Sequence, residues 1–461
     1  MRIREDYLRT ATQILLLLAG LLSLLGTDYG IVHSDTSNRR LLVYSVSHNP
    51  HLSGIVRTNI PPMGFTSWGG YYAHINQQDI IDNAALLKST GLARLGYKYV
   101  IVDGGWEEIP RGSNGSYLTA RDSSGNLLAN PATFPNGMRW LGNHLHSLGL
   151  KFGIWTTLSR YTCGPEPSGS FGHFQQDARE FASWGVDYVK ADWCATPSDQ
   201  YYGKQYSGNA RVGIARRAFS QFSQALRDTG RPIMLAASAP AYFFAGALVP
   251  PPSFWQILGS ITHEAGLWRI GIDIQDNWSS VVRNFAQDTT VGLAAYARPG
   301  HWNDPDILEI GNGGLTLMEE QSQFTLWSEL AAPLYISTNI SKLSAQELQI
   351  VSNKDIIAVD QDPLGAQGTI VEAGSDFDVL AKPLLDGDKA VVLFNRAETA
   401  QTITTSLHTI GFRSGGLYRL EDLVSKDSFE STGTISATVP AEGTIIYRIG
   451  MISGNGSTGS A

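Results

Sequence analysis

From about residue 56 the chain alternates between two textures. Short apolar runs, "PPMGFTSW", "YKYVIVDGGW", "KFGIWTT", "DYVKADW", "PIMLAAS", "WRIGIDI", "GHWNDPDI" and "PLYISTN", lead into polar or glycine-rich loops. Between them lie stretches such as "QQDIIDNAALLKSTGLARLG", "MRWLGNHLHSLG", "DAREFASWG" and "AFSQFSQALRDTG". Their apolar residues recur at three- and four-residue spacing, and they stop at glycine. The first texture predicts buried strands and the second amphipathic helices. Apolar strands alternating with helices belong to a parallel sheet covered by helices. Eight such units over roughly 300 residues fit a (β/α)8 TIM barrel. An open doubly wound sheet fits the alternation too, but no GxGxxG or Walker loop follows the first strand.

After "AVDQDPLGAQG" the texture changes. "FDVLAKPL", "KAVVLFNR", "QTITTSL" and "GTIIYRI" alternate apolar and polar residues between turns, which predicts a C-terminal antiparallel β-sandwich over 366–450. At the other end, arginines in "MRIREDYLRTATQ" precede the leucine-rich "ILLLLAGLLSLLG". That run has the length of a signal-peptide core and is short for a membrane span. The expected organisation is a signal peptide over 1–30 (cleaved within 26–35), a polar linker over 31–55, the barrel over 56–362, the sandwich, and a low-complexity tail over 451–461. An uncleaved anchor is the other reading of the leader. Secretion to the extracellular space, or to the periplasm in a bacterial host, follows from the first.

Composition narrows the class. The 461 residues are 43% hydrophobic and 16% charged, ordinary for one large domain with a smaller one. The net charge of -8 comes without a basic cluster, so no nucleic-acid partner is expected. The two cysteines, Cys163 and Cys194, form no Cys/His pattern of zinc spacing. No metal or other cofactor is expected. Eleven Trp and 18 Tyr exceed what a plain scaffold needs. Most such rings fill cores, but they also stack on the apolar face of a pyranose. Sequons stand at Asn114, Asn277, Asn339 and Asn455.

In a barrel, functional groups collect at the C-terminal ends of the strands. Trp68, Asp103, Trp106, Lys190, Asp192, Arg269, Asp273, Asp304 and Asp306 fall there. A lone aspartate at a strand end is ordinarily a loop cap. Four strands ending in carboxylates, beside aromatic rings, need another account, because converging carboxylates repel. A metal cage is one arrangement, with His301 its only histidine; Lys190 and Arg269 offer cations instead. Acids that accept and cations that donate suit a neutral, hydroxyl-rich ligand. Two further acids can then work on a glycosidic bond. Spacing alone leaves open which pair that is.

Seven segments in order, "PPMGFTSW", "GYKYVIVDGGW", "LKFGIW", "FASWGVDYVKADWC", "RIGIDIQDNW", "GHWNDPDILEIGNGG" and "NKDIIAVDQDPLGAQG", carry a closer likeness. Over about residues 58–450 the chain resembles glycoside hydrolase family 27, the α-galactosidase and α-N-acetylgalactosaminidase family. The resemblance implies a retaining double displacement, with Asp192 of "KADWC" as nucleophile and Asp273 of "RIGIDIQDNW" as acid/base. Such a pair stands about 5–5.5 Å apart. Lys190 and Arg269 are expected to keep Asp192 ionised, and the charge of Asp192 to raise the pKa of Asp273. Trp68, Asp103, Lys190, Arg269 and Asp306 match sugar-binding positions, and Trp155 stands where the family has a tyrosine. Cys163 and Cys194 match one family disulfide. The pair through the family's D-D-C-W motif is absent, because Gly104 and Gly105 occupy its second acid and its cysteine.

Two departures bear on the sugar. Galactosidases of this family carry C-E-W at the fifth strand, and this chain has "AASAPAY". Ser238, Ala241 and Tyr242 then match the N-acetylgalactosaminidase branch, where small residues leave room for an acetamido group; a divergent small-residue strand end is the plainer reading. Losing the acid at Gly104 weakens the grip on a hydroxyl by about 1.5–3 kcal/mol if the bond is buried and not replaced. The expected substrate is a terminal α-D-galactoside of an oligosaccharide, polysaccharide or glycoconjugate. An α-N-acetylgalactosaminide, a β-L-arabinopyranoside and an α-glucan are the alternatives within the family. A non-catalytic carbohydrate-binding protein is the alternative outside it, with Gly104 as its support. No stable membrane partner is expected, and a homodimer stays open.

Overall fold

The computed structural model describes residues 57–107, 109–194, 208–244 and 249–452. The signal and linker expectations, and the tail from 453 onward, lie outside the described residues. Among the described residues no helix is long and apolar enough to cross a membrane.

Each of the eight apolar runs carries one strand: β1 (Met63–Thr66), β2 (Tyr97–Val102), β3 (Lys151–Thr157), β4 (Tyr188–Asp192), β5 (Met234–Ala237), β6 (Leu267–Arg269), β7 (Trp302–Asp304) and β8 (Leu334–Ile336). They form one parallel sheet in the order β7-β6-β5-β4-β3-β2-β1-β8. The sheet curls until the segment after β7 meets β8 through a parallel bridge, Leu308 to Ile336. This is the TIM-barrel arrangement, and its strands are mostly apolar between their ends because helices cover the outside while side chains fill the inside. Tyr188 of β4 touches the rings of Tyr99 and Tyr335 across the interior, at 5.7 and 5.9 Å between centroids.

The covering helices include α1 (Gln77–Ser89), α2 (Gly137–Ser147), α3 (Phe174–Trp184), α4 (Gly208–Asp228), α5 (Pro252–Glu264), α6 (Trp278–Asp288) and α7 (Leu317–Glu329). Local signals fix their starts. Asn76 with Asp79, and Thr316 with Glu319, close capping boxes at α1 and α7. Strand β6 ends at Arg269, well before its apolar run does. Ile270–Ile274 leave the sheet as a loop, which carries Asp273 to the barrel mouth.

The C-terminal strands run antiparallel. A six-stranded sheet, β14-β13-β16-β11-β10-β9, faces a pair, β12-β15. Here β9 is Thr369–Ala373, β10 Phe377–Pro383, β11 Lys389–Asn395, β12 Gln401–Ser406, β13 Tyr418–Asp422, β14 Ser428–Ser431, β15 Thr434–Val439 and β16 Thr444–Met451. Because side chains alternate along a strand, the large sheet serves two cores. Val379, Val391 and Leu393 join Ile403 and Ile435 inside the sandwich. Leu380, Val392 and Phe394 point the other way and join the barrel core. Phe394 meets Trp278 and Phe285 of α6 edge to face. Lys382, fully buried, crosses the same boundary and donates to the carbonyls of Ser328 and Val359 at 3.1 and 2.7 Å.

Candidate active site

The strand ends of the barrel surround a cavity of about 380 Å³. Trp68, Asp103, Trp155, Lys190, Asp192, Tyr242, Arg269, Asp273 and Asp306 all line it. Strand register explains the first contacts. Trp155 and Lys190 are partners in the β3–β4 ladder, and Asp192 lies two residues beyond Lys190 on the same inward face. The indole of Trp155 donates to Asp192 Oδ2 at 2.8 Å. Lys190 Nζ stands 2.8 Å from Asp103 Oδ2 and 3.9 Å from Asp192 Oδ2. Both groups address Oδ2, and Cys163 Sγ lies 3.8 Å from the same oxygen.

Across the mouth, Arg269 holds Asp306 at 2.8 Å and Asp273 at 3.2 Å. Asp306 has a left-handed backbone, φ 88°, unusual for a residue with a side chain. Its surroundings hold it there. Its carboxylate accepts from the backbone N–H groups of Ile274 and Ile307, each at 2.9 Å. Its own N–H donates to Asp304 Oδ1, and its carbonyl accepts from the Trp327 indole. The bond to Ile274 ties the loop bearing Asp273 to the end of β7. Asn284 of α6 adds a second tie, donating to the carbonyls of Ile272 and Pro305.

The charge states differ from expectation in two places. Burial pushes the Asp192 carboxyl up, and Lys190 and the Trp155 hydrogen bond only partly offset it. Asp273 moves down: loss of solvation at the cavity mouth works against its charge, but Arg269 and Lys190 outweigh it. Its side chain is 67% exposed, so the ion pair with Arg269 forms at the open rim. Without substrate, the rim acid is ionised and the floor acid is the harder to charge. Burial disfavours the Lys190 ammonium, yet Asp103 and Asp192 hold its pKa well above the ordinary value. Asp304 behind them is pushed up to about 6, chiefly by burial.

Some sequence candidates lie elsewhere. Ser238 borders a separate chamber of about 20 Å³ under the floor. Its hydroxyl accepts from Trp193 N at 2.9 Å, pinning the turn after β4. Ala241 is buried in the short helix Ala239–Phe244 and is not on the cavity wall. Trp106 is core: its indole donates to the Trp155 carbonyl and braces that strand from behind. His301 precedes β7, so it sits at the N-terminal end of the barrel, beside Trp268. The only cavity cluster of metal-binding atom types among the described residues is Cys163, Asp192 and Cys194. Its two sulfurs are joined as a disulfide, Cα–Cα 5.2 Å, which removes the thiolates.

The cavity also holds groups that sequence reasoning passed over. Glu107 and Ile109 follow β2 on one wall, Thr162 and Glu166 come from the disulfide loop, and Ile307 follows Asp306. Glu107 carried a signal in "DGGWEE", an acid four residues past Asp103. Read as loop, it gave no hint that the turn brings it back.

Comparison with known proteins identifies the family. A family model described as alpha galactosidase A matches residues 61–362, and one described as the alpha galactosidase C-terminal beta sandwich domain matches 374–449. An α-galactosidase of Oryza sativa is 38% identical over 387 residues, 84% of this chain and 83% of its own. An α-N-acetylgalactosaminidase of Gallus gallus is 36% identical over 388 residues, 81% of this chain and 88% of its own. Among solved structures, an α-galactosidase of Saccharomyces cerevisiae with raffinose superposes at a TM-score of 0.73 and 26% identity, covering 86% of this chain and 98% of that one.

Proposed function

The chain belongs to the α-galactosidase family of glycoside hydrolases, family 27, and from that premise we propose that it is a secreted, retaining exo-glycosidase that removes terminal α-D-galactose. The observation that carries the reading is the convergence of Asp192 and Asp273 on one cavity, each with its own cation. Asp192 attacks the anomeric carbon and forms a covalent glycosyl-enzyme. Asp273 protonates the departing glycosidic oxygen, then takes a proton from water in the second step. Lys190 and Arg269 balance the charge of the pair. Trp155 steers Asp192 through Oδ2 and leaves Oδ1 to react.

The charge states imply an order of events. Asp273 must carry a proton to act first as acid, while its partner Arg269 favours the ionised form. A sugar entering the cavity takes water from the rim, and losing water favours the neutral carboxyl. Substrate binding is therefore the step that loads the acid. In this reading Trp68, Asp103, Trp155, Lys190, Tyr242, Arg269 and Asp306 bind the sugar, and Ser238 and Ala241 shape the space behind Tyr242. Residues 1–30 are the export signal, 31–55 a linker, 56–362 the barrel and 366–450 the sandwich.

A panel of nitrophenyl α-galactoside, α-N-acetylgalactosaminide, β-L-arabinopyranoside and α-glucoside tests the assignment. The α-galactoside is expected to turn over fastest, and Asp192→Ala to abolish it. The N-acetylgalactosaminide is the second candidate, because small residues end β5 beside Tyr242. Turnover of none of the four would sink the reading.

A further inference from the structure

Four acids of the cavity have a cation within 4 Å: Asp103 and Asp192 share Lys190, while Asp273 and Asp306 share Arg269. Glu107 lines the same cavity and is 7% exposed. Among the described residues no cation pairs with it. Its charged neighbours are acids, Asp103 and Glu166, with Lys190 and Asp192 beyond Asp103. Backbone N–H groups of Gly105 and of Glu107 itself favour its charge, but burial outweighs them and pushes it up to about 8. At neutral pH this carboxyl keeps its proton and is an O–H donor with the carboxylates of Asp103 and Glu166 as its acidic neighbours.

The wall beside it is bare by choice of residue. Gly105 cannot carry a side chain: its φ is +98°, and a Cβ would fall 2.5 Å from the carbonyl oxygen of Ala73. Gly104 could, since a Cβ there meets the rings of Trp155 and Trp68 at an ordinary 3.6 Å. With glycine at 104 that position offers no polar side chain, while Glu107, three residues on, lines the same cavity. A sugar hydroxyl both donates and accepts, so it is best met by one group of each kind.

We propose that Glu107 is a specificity-determining residue, donating a hydrogen bond to a hydroxyl of the terminal sugar whose proton Asp103 accepts, on the wall that Gly104 leaves without a side chain. The inference rests on the galactoside-hydrolase reading above. It explains how the pocket grips a hydroxyl without an acid at position 104.

The test compares wild type, Glu107→Ala and Glu107→Gln, with kinetics on nitrophenyl α-galactoside and calorimetry with galactose, N-acetylgalactosamine and L-arabinose. Circular dichroism and the melting temperature check that each variant is folded. Glu107→Ala is expected to raise KM and the galactose Kd about tenfold while kcat moves less than about threefold. Glu107→Gln keeps an N–H donor and should stay within about threefold of wild type at pH 6. As pH rises through about 8, wild-type Glu107 loses its proton and faces Asp103 and Glu166 as a third negative charge. Wild-type galactose affinity should therefore fall between pH 7 and 9, and that of Glu107→Gln should not. Adding Gly104→Asp to Glu107→Ala should recover part of the affinity, which a structural defect would not allow. An unchanged KM and Kd in Glu107→Ala, or an identical pH profile in wild type and Glu107→Gln, overturns the proposal. Wild type that binds galactose without hydrolysing it defeats the hydrolase reading, and the calorimetry still decides the role of Glu107. Wild type that binds none of the three sugars overturns both.

Discussion

Trp155 donates its indole N–H to Asp192 Oδ2 at 2.8 Å, from the ladder position opposite Lys190. The bond favours the ionised carboxylate, against the burial that disfavours it. Trp155→Phe keeps an aromatic ring on the wall and removes the donor. The Asp192 pKa should then rise, moving the acid limb of the kcat/KM profile to higher pH. A loss of about tenfold in kcat/KM near pH 5 is expected, from one hydrogen bond to a charged group. An acid limb that stays put would mean that this limb does not report Asp192.

The two carboxylates should fail differently. Asp192→Ala removes the attacking group and should abolish turnover of every substrate while sparing galactose binding. Asp273→Ala removes proton donation, worth about 10²–10⁴ in rate. The loss should be largest for raffinose-type substrates, whose leaving group needs a proton, and smaller for nitrophenyl galactoside. Proton NMR in the first minutes of reaction should show α-galactose before mutarotation. β-Galactose as the first product would rule out the double displacement.

Cys163 lines the cavity, and its disulfide partner Cys194 lies two residues past Asp192. Native protein should show no free thiol at these two positions on titration. Reduction frees the loop that carries Thr162 and Glu166, so activity should drop several-fold and return on reoxidation. Full activity in the reduced protein would confine the bond to a stabilising role.

Several carboxyls are buried with pKa values raised by burial, among them Glu107, Glu309, Glu329 and Asp360, each to about 8. A raised folded pKa means the native state binds the proton more tightly than the unfolded chain does. The resulting stability is complete below about pH 4, the unfolded value, and is lost as pH rises toward 8. Lys382, Lys389 and His301 work in the opposite sense, their pKa values lowered chiefly by burial, but the raised carboxyls outnumber them. The melting temperature should fall steadily between about pH 5 and 9. A melting temperature that climbs over that range would show that these acids are not buried in solution.

Much of this architecture was legible in the residue order. Parallel strands are apolar on both faces, so eight continuous runs announced the barrel. The sandwich showed as alternation, because its large sheet divides residues such as Val379 and Leu380 between two cores. What stayed hidden depends on distances between segments. Nothing local in "RIGIDIQDNW" says that Arg269 lies 3.2 Å from Asp273 and inverts the expected shift of its pKa. Nothing in "AASAPAY" says that the Ser238 hydroxyl is taken up by Trp193. His301 was the avoidable case: a residue before a barrel strand lies at the end away from the chemistry.

Lys382 sets a limit on how the gene can be cut. Its ammonium comes from the sandwich, yet its hydrogen-bond acceptors are carbonyls at the ends of barrel elements, and it is the cation acting on buried Glu329 and Asp360. A barrel expressed alone would present those two acids, and the apolar face around Phe285, to water with nothing to cover them. The two halves are thus poor candidates for domain shuffling. A chimera that transplants this barrel must bring β10 with it, or redesign Glu329 and Asp360 as apolar residues.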